Sequence, residues 1–143
     1  MTTEHPNLKI INTFFTAYGN HDVDLMRTVV AEDVRWTIPG HHPLSGTKVG
    51  IEEVVAFFSQ LAKSDFKADP IVLGVNDNYV IDCHRGWSNR EDGNNLDILW
   101  CLLWKIENGK IKEVVNFAAD QYETDRFFYK AYKLKPVQDR IDG

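Results

Sequence analysis

Asp97-Ile98-Leu99-Trp100-Cys101-Leu102-Leu103-Trp104-Lys105-Ile106 is the stretch whose reading decides the fold. The apolar run from Ile98 to Trp104 is too short to cross a bilayer, yet it is apolar at odd and even positions alike, so it predicts a strand with two dry faces. Glu107-Asn108-Gly109-Lys110 follows, and Asn-Gly supplies the two positive-φ positions of a type I′ turn. A second strand then runs from Ile111 to Asp120, which places an antiparallel hairpin at the centre of a sheet. Antiparallel sheets normally wet one face. Two dry faces therefore call for helices on one side and a further layer, such as a second subunit, on the other.

The 143 residues suit a single domain, 1–143, with a core over about 8–128. With 16 Lys+Arg against 21 Asp+Glu the chain is mildly acidic, and no basic cluster exceeds a pair, which argues against a nucleic-acid partner. Met1-Thr2-Thr3-Glu4-His5-Pro6 lacks the cationic and apolar segments of a signal peptide, and no apolar run has the length of a membrane span. The expectation is a cytoplasmic protein without a membrane partner. In that compartment Cys83 and Cys101 read as reduced core residues without chemistry.

Outward from the hairpin, Leu8, Ile11, Phe15 and Tyr18 recur at helical spacing between Asn7 and Gly19. Asp22 suits the cap of a second short helix carrying Leu25, Met26, Val29 and Val30. Asp33 to Ile38 alternates with period two and stops at Pro39-Gly40, as a short strand does. Gly40-His41-His42-Pro43-Leu44-Ser45-Gly46-Thr47 reads as a loop, a place where binding groups tend to sit. Ile51, Val54, Val55, Phe58 and Leu61 mark a third helix over Gly50–Lys63. Phe66 to Val75 and Tyr79 to Arg90 are two further strands, and Pro70 argues for an edge position in the first. The tail from Gln121 to Tyr132 is helical in pattern and ends towards Pro136. The order predicts an α+β domain: three N-terminal helices packed on a curved, mostly antiparallel sheet, closing into a cone-shaped barrel with a hollow end.

Several short motifs carry a resemblance: His21-Asp22-Val23-Asp24 after the first helix, Asp33-Val34-Arg35-Trp36 with Pro39-Gly40, Leu44-Ser45-Gly46, and Trp104 to Ile111 running on to Asp120. On these the chain, over roughly Leu8 to Phe128, resembles the nuclear transport factor 2-like superfamily, in particular its SnoaL-like and ketosteroid-isomerase-like members. The resemblance implies a small cofactor-independent pocket protein: an isomerase, cyclase or lyase acting on a small apolar cyclic or carbonyl compound, or a non-catalytic binding or dimeric interaction domain. The steroid isomerases use a tyrosine, a proton-shuttling carboxylate and a protonated carboxylic acid, and the matching positions here hold Phe14, Ile38 and Leu102. None of these moves a proton. The epoxide-hydrolase branch uses paired carboxylates with an arginine, for which Arg85 and Asp120 are a loose match. SnoaL-like cyclases use an acidic group on the last strand, matching Asn116 or Asp120, and only Asp120 can act as acid or base.

The candidate site follows from these readings. Asp120 at the rim of an apolar hollow is the first choice as acid/base, although Asp120-Gln121-Tyr122-Glu123 also has the spacing of a capping box for the last helix. On the strand before the central hairpin, the family register turns Ile81, Cys83, Arg85, Trp87 and Asn89 inwards, which makes Arg85 a buried anchor for a carboxylate. A slip of one residue brings in Asp82 and His84 instead, a carboxylate and an imidazole able to share a proton. Tyr18, Trp36, Phe58, Trp87, Trp100 and Asn116, with His41 from the loop, are the candidates for lining a pocket around a small apolar or cyclic molecule. The histidines form no metal-ligand pattern, and no phosphate loop or nucleophile elbow is present, so neither metal nor cofactor is expected. Leu99, Cys101 and Leu103, with Val115 and Phe117 opposite, suit a homodimer interface on the outer sheet face.

Overall fold

The computed structural model describes residues 4–132. Pro136, where the tail is expected to end its helical pattern, lies outside them. The elements in order are α1 (Pro6–Gly19), α2 (Val23–Arg27), β1 (Val30–Ile38), β2 (Gly46–Val49), α3 (Ile51–Ala62), β3 (Lys67–Val75), β4 (Tyr79–Trp87), β5 (Asp97–Glu107), β6 (Lys110–Ala118) and α4 (Gln121–Ala131). The strands form one sheet in the order β2-β1-β6-β5-β4-β3. The β5–β6 hairpin is therefore central, as its composition predicts. Its turn is built on Asn108 and Gly109, both at positive φ (52° and 75°), the geometry that joins two twisted strands through two residues.

All strand pairs are antiparallel except β1 with β6. Pro70 lies on β3, at the sheet's edge, beside a register irregularity between Pro70 and Val72, where a missing N–H breaks no ladder of a central strand. Three expectations are corrected. The sheet is open, with β2 and β3 as free edges, so no closed barrel forms. Val30 belongs to β1 and not to the second helix, which ends at Arg27. Gly46 and Thr47, read as loop, begin β2, which pairs with the end of β1 through Ile38↔Gly46 and Thr37↔Thr47. Turn-forming residues hid that short strand, because its partner lies across the connection.

The helices cover one face of the sheet. Ile11, Phe14 and Ala17 of α1, Ile51, Val54 and Phe57 of α3, and Phe127 and Phe128 of α4 are buried against Val34, Trp36, Val80, Leu102, Trp104 and Val114. Local caps set the helix starts: the Asp22 carboxylate accepts from Leu25 N (3.0 Å), and the Asp120 carboxylate accepts from Glu123 N (3.0 Å). Asn7 pins α1 to the β3–β4 turn, its Nδ2 donating to the carbonyls of Asn76 and Asp77 (3.0 and 3.1 Å). The end of α4 is tied to α3 through the Tyr132 hydroxyl, which donates to the Gln60 carbonyl (2.6 Å).

The other face of the sheet is left partly open by this chain. On β5 the even residues Trp100, Leu102, Trp104 and Ile106 are buried, while Leu99 is 48% exposed and Cys101 and Leu103 are half-buried. The second dry face of the central strand is thus an apolar outer row. Cys83 and Cys101 lie on that row as free thiols, which corrects their reading as core residues.

His42 belongs to the packing. Its ring stacks on Phe128 (centroids 4.5 Å apart), and its Nδ1 accepts from Leu44 N (3.1 Å). Its Nε2 is buried and has no hydrogen-bond partner among the described residues. Burial is the main reason that the ring's pKa is pushed down from 6.5 to about 4; the nearby Asp125 carboxylate opposes this shift and Lys48 reinforces it. In the folded chain the ring stays neutral until pH about 4, whereas in the unfolded chain it takes its proton near 6.5. The unfolded state binds more protons in that window, so stability present above pH 6.5 is lost as the pH falls to about 4, by on the order of 2 to 3 kcal/mol. Urea unfolding across this range should show a shallower acid decline for His42→Phe than for the parent chain; parallel declines would refute this role for the ring.

Candidate functional site

Between the helices and the sheet lies a cavity of about 430 Å³. Its wall is mainly aromatic. Trp36 and Trp104 meet edge to face (5.2 Å, 75°), Phe14 packs on Trp104 (5.0 Å, 65°), and Phe58 packs on both Trp36 (5.1 Å, 87°) and Tyr18 (5.0 Å, 81°). These pairs suit the quadrupoles of the rings and make the inner end rigid. Phe14, Ile38 and Leu102 also line it, so the positions that would carry the steroid-isomerase groups present hydrocarbon.

The polar groups come mostly from the central strands. Asp82 on β4 is 3% exposed, and its carboxylate accepts from Trp104 Nε1 (2.6 Å) and pairs with His84 Nδ1 (2.6 Å). An indole N–H can only donate, so one carboxylate oxygen is committed to it; the other holds the imidazole. A contact in which Nδ1–H donates to Asp82 selects the tautomer of His84 whose Nε2 can accept, and Nε2 hydrogen-bonds to none of the described residues. Both Asp82 and His84 line the cavity. Two strands away, Asn116 Oδ1 accepts from Trp36 Nε1 (2.8 Å), which fixes the amide and leaves its NH₂ group as a donor at the cavity wall. Asp82, Leu102 and Asn116 stand in one row across β4, β5 and β6. At a strand spacing of roughly 4.8 Å, the backbones of Asp82 and Asn116 lie about 10 Å apart across Leu102. Burial also pushes the Tyr18 hydroxyl up from 10, with Tyr132 adding to the shift, so Tyr18 is a neutral donor at neutral pH.

The structure sorts the expected residues. Tyr18, Trp36, Phe58, Trp100 and Asn116 line the cavity, and so does His84. Arg85 does not enter it. Its guanidinium sits on the outer face, forked onto Asp97 (2.8 and 2.6 Å), near Asp69 (3.8 Å), and stacked over Trp87 (4.2 Å to the ring). Trp87 is therefore an outer-face residue as well. The reason is register: Val80 pairs with inward Trp104, so every even residue of β4 follows it inwards and Arg85 stays hydrated. His41 is exposed on the loop, where its N–H donates to Asp125 (3.2 Å). Asp120 is exposed and serves as the cap of α4, so it is not in the cavity wall. The role of Trp104 as the polar partner of Asp82 is not legible in its own apolar strand; an inward tryptophan beside a strand carrying Asp-X-His is the signal for it.

The sequence profile of the SnoaL-like domain matches residues 11–114, most of the chain. The chain belongs to the SnoaL-like domain family. The uncharacterized protein Rv0034 of Mycobacterium tuberculosis is 28% identical over 130 residues, covering 88% of this chain and 98% of that protein. An NTF2-like protein of unknown function from Burkholderia pseudomallei superposes with a TM-score of 0.77 at 22% identity, over 87% of this chain and 98% of that one. A putative SnoaL-like polyketide cyclase from Jannaschia superposes at 0.69 with 15% identity, over 83% and 92%. At these identities the two structures speak to the fold. The fold match agrees with the α+β reading and with a sheet that is mostly antiparallel.

Gly86 decides how the SnoaL-like pocket of this chain is floored. A Cβ there would lie 2.8 Å from Cδ1 and Nε1 of Trp100, so the indole rests directly on the Gly86 backbone. Gly86→Ala should displace the Trp100 ring, cost about 1–3 kcal/mol, and alter the near-ultraviolet circular dichroism. An unchanged spectrum and unfolding midpoint would show that the ring does not rest there.

Proposed function

We propose that this SnoaL-like chain is a cofactor-independent pocket enzyme that moves a proton on a small apolar cyclic or carbonyl compound, with His84 as the base. The observation that carries this reading is the Asp82–His84 pair, 2.6 Å apart in a largely apolar cavity wall. Asp82 holds the imidazole in the tautomer whose Nε2 accepts, and its charge accompanies the imidazolium that forms. The substrate C–H beside a carbonyl gives its proton to Nε2, and the electron pair passes to the carbonyl oxygen. The Asn116 amide is the donor for that oxygen, and Tyr18 is a second neutral donor in the same wall. Return of the proton from His84 to another atom of the substrate completes an isomerisation, ring closure or elimination. A cavity of about 430 Å³ suits a substrate of one or a few rings. This assignment moves the acid/base role from Asp120, which caps a helix, to His84.

The test is hydrogen–deuterium exchange at the acidic C–H of a panel of cyclic ketones in D₂O, followed by proton NMR. Catalysed exchange should fall about 100-fold or more in His84→Asn. Asp82→Asn should also fall, because an amide can present its NH₂ to Nδ1 and shift the ring tautomer. Both variants are checked for parent-like circular dichroism. Retention of a ketone with no catalysed exchange would favour the second, non-catalytic reading of the cavity as a binding site, and equal exchange in parent and His84→Asn would remove His84 from the mechanism.

The outer face supports a further part of the reading, association of two copies. Ile81, Leu99 and Phe117 are each about half exposed, and β5–β6 register sets Cys101 against Phe117 in the same row. Such a row is larger in apolar character than a solvated sheet face needs. Sedimentation velocity at micromolar concentration should give a dimer that a Leu99→Lys, Phe117→Lys chain no longer forms; a monomeric parent chain would dismiss the association.

A further inference from the structure

Cys83 and Cys101 stand directly opposite each other on β4 and β5. The type of this pair follows from the ladder. Ser88 N donates to Leu96 O and Ile106 N to Asn78 O, so in this register the even residues form the hydrogen-bonded pairs. The odd pairs, Cys83 with Cys101 among them, are the non-hydrogen-bonded ones, whose side chains approach more closely and whose Cα atoms are about 4.5 Å apart. That separation lies within the roughly 4.4–6.8 Å that a disulfide spans. Both thiols are free and half-buried on the outer face, within reach of a small reagent. Cys83 is also the residue between Asp82 and His84, pointing outwards where they point inwards.

We infer that Cys83 and Cys101 are a redox-responsive thiol pair that closes into a cross-strand disulfide on meeting a small-molecule disulfide. One cysteine thiolate attacks a sulfur of the small disulfide, forms a mixed disulfide and releases one small thiolate. The other cysteine thiolate then attacks the protein sulfur of that mixed disulfide and releases the second small thiolate. Two protein thiols are oxidised and one small disulfide is reduced to two thiols, so the exchange balances. Partial burial, and then the neighbouring Cys83 thiol, push the Cys101 thiol up from 9.0, so closure speeds up as the solution is made more alkaline. The bridge ties β4 to β5 directly behind Asp82 and His84. It is independent of the reaction assigned to the cavity.

The test uses the full chain, reduced, desalted and held at high dilution so that the outer face is free, then exposed to glutathione disulfide at about pH 8. Thiol titration, intact mass and a non-reducing gel are read together. The expected result is loss of both thiols together, a mass lower by two hydrogens with no glutathione attached, migration as a single chain, and full recovery with dithiothreitol. Cys83→Ser and Cys101→Ser should each retain a single thiol or carry one glutathione. Persistence of two thiols, stable glutathione adducts on both cysteines of the parent chain, or cross-linked pairs of chains would each overturn the inference.

Discussion

The indole of Trp104 is fully buried at the middle of the sheet's inner face, and a buried N–H needs an acceptor. Asp82 on the neighbouring strand is that acceptor, at 2.6 Å. A buried carboxylate in turn needs donors to match its charge, and one indole leaves it incompletely satisfied. His84, two residues along the same strand and on the same face, provides the second. Much of the inner wall follows from that chain of requirements. It sets the inward parity of β4, it locates an imidazole in the wall of an apolar cavity, and it sends the odd residues of β4, cysteine and arginine included, to the outside.

The cavity is a consequence of shape as well as chemistry. Edge-to-face rings such as Trp36, Trp104, Phe14 and Phe58 support one another from α1, β1, α3 and β5 and form one side of the space between the helices and the sheet. Gly86 enlarges that space by letting the Trp100 indole lie against bare backbone. Within it, directional groups are few. The imidazole of His84, the amide of Asn116 and the hydroxyl of Tyr18 come from three different elements, so a molecule held there would meet polar groups from three sides of the fold.

Much of the architecture was legible because it is local. The apolar run before Asn108-Gly109 marked the central hairpin, Pro70 marked an edge, and Asp22 marked a helix start, each through backbone geometry that a few neighbouring residues settle. β2 was missed since its turn-rich residues take strand form only when β1 lies beside them, and the parallel pairing of β1 with β6 joins segments about eighty residues apart. Among site residues, the aromatic lining at Tyr18, Trp36, Phe58 and Trp100 was visible as apolar positions on faces that pack inwards. Asp120 was read in both of its roles, and the cap is the one the structure adopts.

By itself, then, the sequence determined the order and type of most elements, the central position of the hairpin and the aromatic character of its inner face, because hydrophobic period, turn residues and caps act over a few residues. The tertiary structure alone decided which parity of β4 faces the cavity, and with it the choice of His84 over Arg85 and the meeting of Cys83 with Cys101. A strand that is mixed on both faces carries no internal signal of its orientation. Only the pairing with Trp104 across the ladder, and the buried carboxylate that this tryptophan requires, resolves it.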